Sequence, residues 1–295
     1  MKKIFVFVAA MVAAISCKSG SDEFVVGNLE IYEGFESQFV ENRTIRVWTP
    51  SDYDSSLKYD VIYMHDGQNL FDASLTWNQQ EWGVDEVLTG LMKKGEIRPC
   101  IVVGIDNSPR RYDEYYPSAI CQDVPDGVLP MNFEPLGDEY MRFLVDELKP
   151  WVDSTYSTWG DLIHTHIMGS SCGGLISSYA FCRYPEVFGG AACLSTHSSL
   201  MNPYVNISQK PAAETYLAYL KNNLPADAQH YLYMDCGDCP IDSEYAESQA
   251  AINEMIYNLD WNKENYMYIF FPGQSHSEAD WRSRLDIPIK FLLGK

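Results

Sequence analysis

Basic residues are scarce in this chain: 21 Lys and Arg stand against 41 Asp and Glu, for a formal net charge of −20. Phosphate backbones are held by clustered Lys and Arg, so the lack of any basic stripe argues against a nucleic-acid partner. The acidic excess reads as a solvated surface. Long apolar runs are missing after residue 20, where no stretch approaches the roughly 20 residues needed to cross a bilayer. Internal repeats and low-complexity tracts are missing too. His164 and His166 fall two apart but have no evident third ligand, so no metal is expected, and nothing in the chain implies an organic cofactor.

The one apolar run stands at the start, where Lys2 and Lys3 precede an unbroken stretch from Ile4 to Ile15. It is too short to span a membrane and has the form of a signal peptide. Small residues before Cys17 resemble a lipoprotein cleavage site, which predicts removal of residues 1–16 and lipidation of Cys17. Ordinary secretory cleavage nearby is the alternative. Residues 17–23 then form a polar tether, and the membrane is touched only through the lipid anchor. The expected location is the outer membrane or cell surface, otherwise the periplasm. Residues 24–295 suffice for a single α/β domain.

Seven cysteines remain beyond Cys17, so at least one is unpaired or paired between molecules. Cys172, Cys182 and Cys193 fall in apolar surroundings and read as small core residues. Cys236 and Cys239 form a C-x-x-C pair, read as a local disulfide or two free thiols.

Patterning predicts strands at 24–31, 38–49, 61–64, 99–105, 163–168, 189–195, 230–235 and 265–271. Helices are predicted at 81–92, 139–152, 172–183, 211–222, 243–259 and 279–293. From residue 61 strands and helices alternate, which argues for a mostly parallel sheet covered on both faces, with ligands gathering at the carboxyl ends of its strands.

The sequence GSSCG (169–173) centres a G-x-S-x-G pattern on Ser171. Five letters are weak alone, but a strand before them and a helix after them make the strand-turn-helix context of a nucleophile elbow. A serine hydroxyl needs a histidine to take its proton and a carboxylate to orient that histidine. His276 suits the base, since it follows the last predicted strand. The acid should follow the strand ending at Asp235, where Asp235, Asp238, Asp242 and Glu244 crowd together. Asp235, at the strand end, is placed to turn back into the structure, and spacing does not separate Asp238 from Asp242. An oxyanion would be met by the backbone N–H of Cys172 and by one from the turn at residues 65–69, with Gln68 as the choice. His65 and His197 are placed at the rim, and His230 is expected to be structural.

Seven segments in order carry a wider resemblance: VIYMHDGQNLFD (61–72), WGVDEVL (82–88), IVVGIDN (101–107), RYDEY (111–115), IMGSSCGGLIS (167–177), YPEVFGGA (184–191) and FPGQSHSEADWR (271–282). Over about residues 40–293 the chain resembles the Putative esterase family, which includes feruloyl and acetylxylan esterases of carbohydrate esterase family 1, enterochelin esterases, S-formylglutathione hydrolases and mycolyltransferases. The resemblance implies an α/β-hydrolase fold, Ser171 as nucleophile, His276 as base, and Gln68 and Cys172 as oxyanion donors. Relatives usually have methionine where Cys172 stands. Their acid segment resembles DYGTETLD where this chain has DCGDCPID (235–242), and the ungapped match favours Asp242 over Asp238.

The expected function is hydrolysis of acetyl- or feruloyl-type esters on an oligo- or polysaccharide through an acyl-enzyme. The alternatives are hydrolysis of a siderophore or other small ester, and glycan binding by a site that has lost catalysis. Trp77, Trp82, Tyr115 and Tyr116 are candidate stacking residues near the rim, each weighed against ordinary packing. The oligomeric state is not legible.

Overall fold

Strands β1 (Asn28–Phe35), β2 (Arg43–Thr49), β3 (Asp60–His65), β4 (Cys100–Ile105), β5 (Thr165–Ser170), β6 (Gly190–Leu194), β7 (Tyr231–Gly237) and β8 (Tyr266–Phe271) form one sheet in the order β1-β2-β4-β3-β5-β6-β7-β8. The computed structural model describes residues 25–129, 133–200, 210–225, 229–259 and 261–294. β1, β2 and β4 pair antiparallel, and every pair from β4 to β8 is parallel. The leader, Cys17 and the tether lie outside the described residues.

The central strands are apolar at nearly every position because both of their faces are covered. Val61 and Tyr63 of β3 enter one core together with Ile101 and Val103 of β4. Ile62 and Met64, with Cys100 and Val102, enter a second core on the other face. The first core is closed by the helices α4 (Gly137–Arg142), α5 (Lys149–Thr155), α6 (Cys172–Arg183), α7 (Lys210–Asn223) and α8 (Ala246–Tyr257). The second is closed by α1 (Val84–Lys93), α9 (Glu278–Arg284) and α10 (Asp286–Leu293). The short helices α2 (Arg111–Tyr115) and α3 (Ser118–Cys121) follow β4. This is the α/β-hydrolase arrangement that the alternation predicts, and it places the ends of β3 to β8 along one edge.

Several boundaries differ from the pattern: β1 runs from Asn28 to Phe35 where 24–31 is expected, β2 begins at Arg43 where residue 38 is expected, and three further departures lie later in the chain. The strand expected at 163–168 begins at Thr165, because Asp161 accepts from the N–H groups of Ile163 and His164 and winds Leu162–His164 into a 3-10 turn. The single helix expected at 139–152 is a run from Gly137 to Thr155 with a wider π segment at Phe143–Leu148. The terminal helix is two helices meeting at Leu285. Pro288 cannot donate to the carbonyl of Arg284, which ends the first of them.

A buried ion pair joins the sheet to α2. Arg43 Nη1 and Nη2 donate to the two Glu114 oxygens at 3.1 and 2.8 Å, the Ser108 hydroxyl donates to Glu114 Oε2 at 2.9 Å, and the guanidinium lies over the rings of Tyr140 and Phe143. Arg43→Met leaves Glu114 buried without its countercharge and is expected to cost roughly 3–5 kcal/mol of unfolding free energy in urea titration. Arg43→Met/Glu114→Leu, which removes both charges, should recover much of that loss.

Candidate active site

Ser171 occupies the sharp turn between β5 and α6 at φ 57°, ψ −124°, a backbone region that a serine seldom adopts. The turn is possible because its flanking positions carry no side chain. A Cβ on Gly169 would sit 2.7 Å from the carbonyl carbon of Gly173, and one on Gly173 would press on His65 at 3.3 Å. The turn is held from below by Ser171 N–H to the Leu194 carbonyl at 3.0 Å, and by His197 N–H to the Ser171 carbonyl at 3.0 Å. The strand-turn-helix context expected from the sequence is therefore present, and Gly173, at the start of α6, lies against His65 and Asp66, which lead into the Gly67–Asn69 turn that carries Gln68.

His276 and Asp242 meet, with His276 Nδ1 bonded to Asp242 Oδ1 at 2.6 Å. Asp242 is fully buried, and its other oxygen accepts from the Ser195 hydroxyl at 2.7 Å and the Gly237 N–H at 2.7 Å. Burial pushes this carboxyl up, but the bonds from His276 and Ser195, the charge attraction to His276 and the Gly237 N–H outweigh it and hold the group below its usual range.

Asp238 points elsewhere. Its Oδ1 accepts from Gly273 N–H at 2.6 Å, and the backbone N–H groups of Asp238 and Cys239 donate to the Gln274 carbonyl. Asp238 thus clamps the loop that carries His276 without touching the imidazole. Gly237 is required for that closeness, since a Cβ there would lie 2.3 Å from the Gln274 carbonyl oxygen. Asp235 does turn back into the structure, where it pairs with Arg284 at 2.9 Å.

The histidines expected at the rim are buried. His65 Nδ1 bonds the Tyr140 hydroxyl at 2.9 Å. His197 lies between the Tyr116 and Tyr245 hydroxyls, each at 2.8 Å. His164 bonds Asp161 and stacks on Trp159, whereas His166 is buried within β5 near Asp60, so the two do not share a face. No group of three His, Cys, Asp or Glu suited to a metal ion occurs among the described residues. Cys236 and Cys239 are free thiols, as are Cys172, Cys182 and Cys193, which are buried. His230 is buried with Nε2 on the Pro185 carbonyl.

Of the four aromatic candidates, Trp82, Tyr115 and Tyr116 are packing residues, whereas Trp77 is 85% exposed. The loop bearing Trp77 is tied to the base: Asn78 donates to Glu278 Oε2 at 2.6 Å, and Glu278 lies two residues after His276. Asn69, next to Gln68, reaches the other oxygen of Glu278 at 3.5 Å.

Two supports were not anticipated. Asp66, in the left-handed region at φ 57°, is gripped by Arg111 Nε and Nη2 at 2.7 and 2.8 Å and by Asn107 Nδ2 at 2.6 Å, which fixes the turn before Gln68. Ser195 joins Asp242 to Trp281 and Arg284. Both sets of residues are distant in sequence, and only the motif segments RYDEY (111–115) and HSEADWR (276–282) hinted at them.

Residues 37–291 match the family described as Putative esterase, and the chain belongs to that family. It is 22% identical over 278 residues to an endo-1,4-beta-xylanase/feruloyl esterase of Xylanibacter ruminicola, covering 88% of this chain and 30% of that protein. The chain spans between 30% and 63% of the length of the curated relatives it matches. Among solved structures it is similar to a ferulic acid esterase, with TM-score 0.65, 19% identity, and coverage of 90% of this chain and 98% of that one. It is also similar to the enterobactin esterase of Shigella flexneri, with TM-score 0.66, 19% identity, and coverage of 91% and 61%. At such identities the solved structures share its fold.

Burial, the largest influence on His65, lowers its pKa from 6.5 to about 3, with the Arg111 and Arg43 charges adding to the shift and Asp66 opposing it. The unfolded chain therefore binds one proton more than the folded one between these values. This contribution to stability is complete above about pH 6.5 and is lost as pH falls toward 3. His65→Gln should flatten that part of the stability–pH curve, read as the difference from wild type in urea midpoints across the window.

Proposed function

We propose that the protein is an exported serine esterase, anchored through Cys17, that hydrolyses acetyl- or feruloyl-type esters on carbohydrate without a metal or organic cofactor. The observations that carry this reading are the 2.6 Å bond between His276 and a buried Asp242, on loops that follow β8 and β7, and the strained Ser171 elbow after β5. Ser171 Oγ attacks the ester carbonyl while His276 Nε2 takes its proton, and Asp242 holds the Nδ1–H tautomer and stabilises the imidazolium. The oxyanion is met by the N–H groups of Cys172 and Gln68, so the thiol of Cys172 has no chemical part. Collapse expels the sugar hydroxyl, which takes the proton from His276. Water, deprotonated by His276, then attacks the acyl-enzyme and releases the acid and Ser171.

Trp77 supports a ring-bearing substrate. A tryptophan this exposed has a free face on which a sugar or an aryl acyl group can stack, and Glu278 ties its loop to the loop of His276. The similarity to proteins described as feruloyl esterases agrees with that choice.

Hydrolysis of p-nitrophenyl acetate by wild type, reduced by roughly 10³-fold or more in Ser171→Ala, is the expected outcome. Equal rates would defeat the esterase reading, and glycan binding without turnover would favour a binding protein instead. Asp242→Asn should lower kcat by about 10³- to 10⁴-fold, while Asp238→Asn should stay within about tenfold of wild type. A larger loss at Asp238 would reverse the assignment. A panel of feruloylated and acetylated oligosaccharides and siderophore esters distinguishes the substrate classes. Trp77→Ala should depress kcat/KM for the preferred ring-bearing ester by about 5- to 50-fold, and much less for p-nitrophenyl acetate.

A further inference from the structure

Ser195 is the first residue after β6 and is fully buried, at a positive φ of 42°. Its hydroxyl has one hydrogen to donate and two acceptor positions. Trp281 Nε1 donates to the oxygen at 3.0 Å, and Arg284 Nη2 donates to it at 2.9 Å. With both acceptor positions taken, the hydrogen is directed at Asp242 Oδ2, 2.7 Å away. A cationic donor on the same oxygen also makes the O–H a stronger donor in turn.

The serine is itself held in place. Its N–H donates to Asp235 Oδ1 at 3.0 Å, and that carboxylate takes Arg284 Nε and Nη2 at 3.1 and 2.9 Å and the Tyr233 hydroxyl at 2.9 Å. Arg284 Nη1 donates to the side-chain oxygen of Gln274, two residues before His276. Trp281 packs edge-on against the His276 ring, with centroids 5.0 Å apart. One guanidinium and one indole thus address the acid and the loop of the base together, with Ser195 as their point of contact with Asp242.

We infer that Ser195 is a positioning residue of the hydrolytic site: its hydroxyl, held by Trp281 and Arg284, sets the orientation of the Asp242 carboxylate and through it the tilt of the His276 ring. The inference rests on the esterase reading of Ser171, His276 and Asp242. Ser195 touches no substrate, and its effect passes entirely through Asp242. Gly237 N–H also donates to Oδ2 and His276 Nδ1 holds Oδ1, so Ser195 supplies the one side-chain hydroxyl among the three donors and the link from Asp242 to Trp281 and Arg284.

The test compares wild type with Ser195→Ala and Ser195→Gly. Glycine accepts the positive φ of this position, so the second variant removes the hydroxyl without adding backbone strain. In both variants kcat per folded molecule should fall about 10- to 100-fold, with KM for p-nitrophenyl acetate within about twofold of wild type. The His276 Nδ1–H proton, bonded to Asp242, should give a downfield NMR resonance in wild type that shifts or broadens in the variants. A kcat within about threefold of wild type, a loss that only follows the folded fraction measured by near-UV circular dichroism, or an unchanged resonance would each overturn the inference. Should wild type hydrolyse no ester, the esterase reading fails by itself, and the resonance still decides whether Ser195 orients the Asp242–His276 pair.

Discussion

A carboxylate with no access to water must have its lone pairs met by the protein, and Asp242 meets that requirement with donors from three separate strand ends. Ser195 follows β6, Gly237 closes β7, and His276 follows β8. An unpaired buried charge costs several kcal/mol, so these three segments are drawn to a common point. The bonds that keep Asp242 ionised are also the ones that bring an imidazole to it. Stability and chemical readiness here depend on the same contacts.

On the other side of the site, close backbone approach does the corresponding work. Gly169 and Gly173 let β5 turn into α6 within four residues, and α6 then starts directly against His65. The neighbouring turn is held by the Asp66–Arg111 pair, which draws α2 into the support of the Gln68 loop. Burial opposes the charge of Asp66 and the Arg111 charge and hydrogen bonds overcome it, leaving its carboxyl below the usual range.

Most of the fold was readable because its signals are local or nearly so. The short apolar runs of β3 and β4 fit strands covered on both faces, and the helix expected at 172–183 matches α6 at both ends. The misreadings have local causes that hydropathy does not register. A side-chain cap by Asp161 delayed β5 and removed His164 from it, and Pro288 divided the last helix. His65 and His197 looked like rim residues because strand ends usually are, but tyrosine hydroxyls let these imidazoles sit inside. Trp77 and Trp82 are five residues apart, and burial separates them completely.

The sequence by itself determined the Ser171 turn, since its geometry depends on glycines at fixed short spacing, and it determined that a histidine and an acid would lie beyond later strands. Asp238 and Asp242 share one loop and one chemistry, so nothing local could decide between them. Tertiary structure separates their contacts: the loop folds so that Asp238 reaches Gly273 N–H and Asp242 reaches His276. The same holds for Ser195, an unremarked serine in sequence, which becomes the contact between Asp242, Trp281 and Arg284 only when residues up to 89 positions apart are brought together. Short-range sterics are written in neighbouring letters, whereas the satisfaction of a buried charge depends on which distant donors the packed sheet delivers to it.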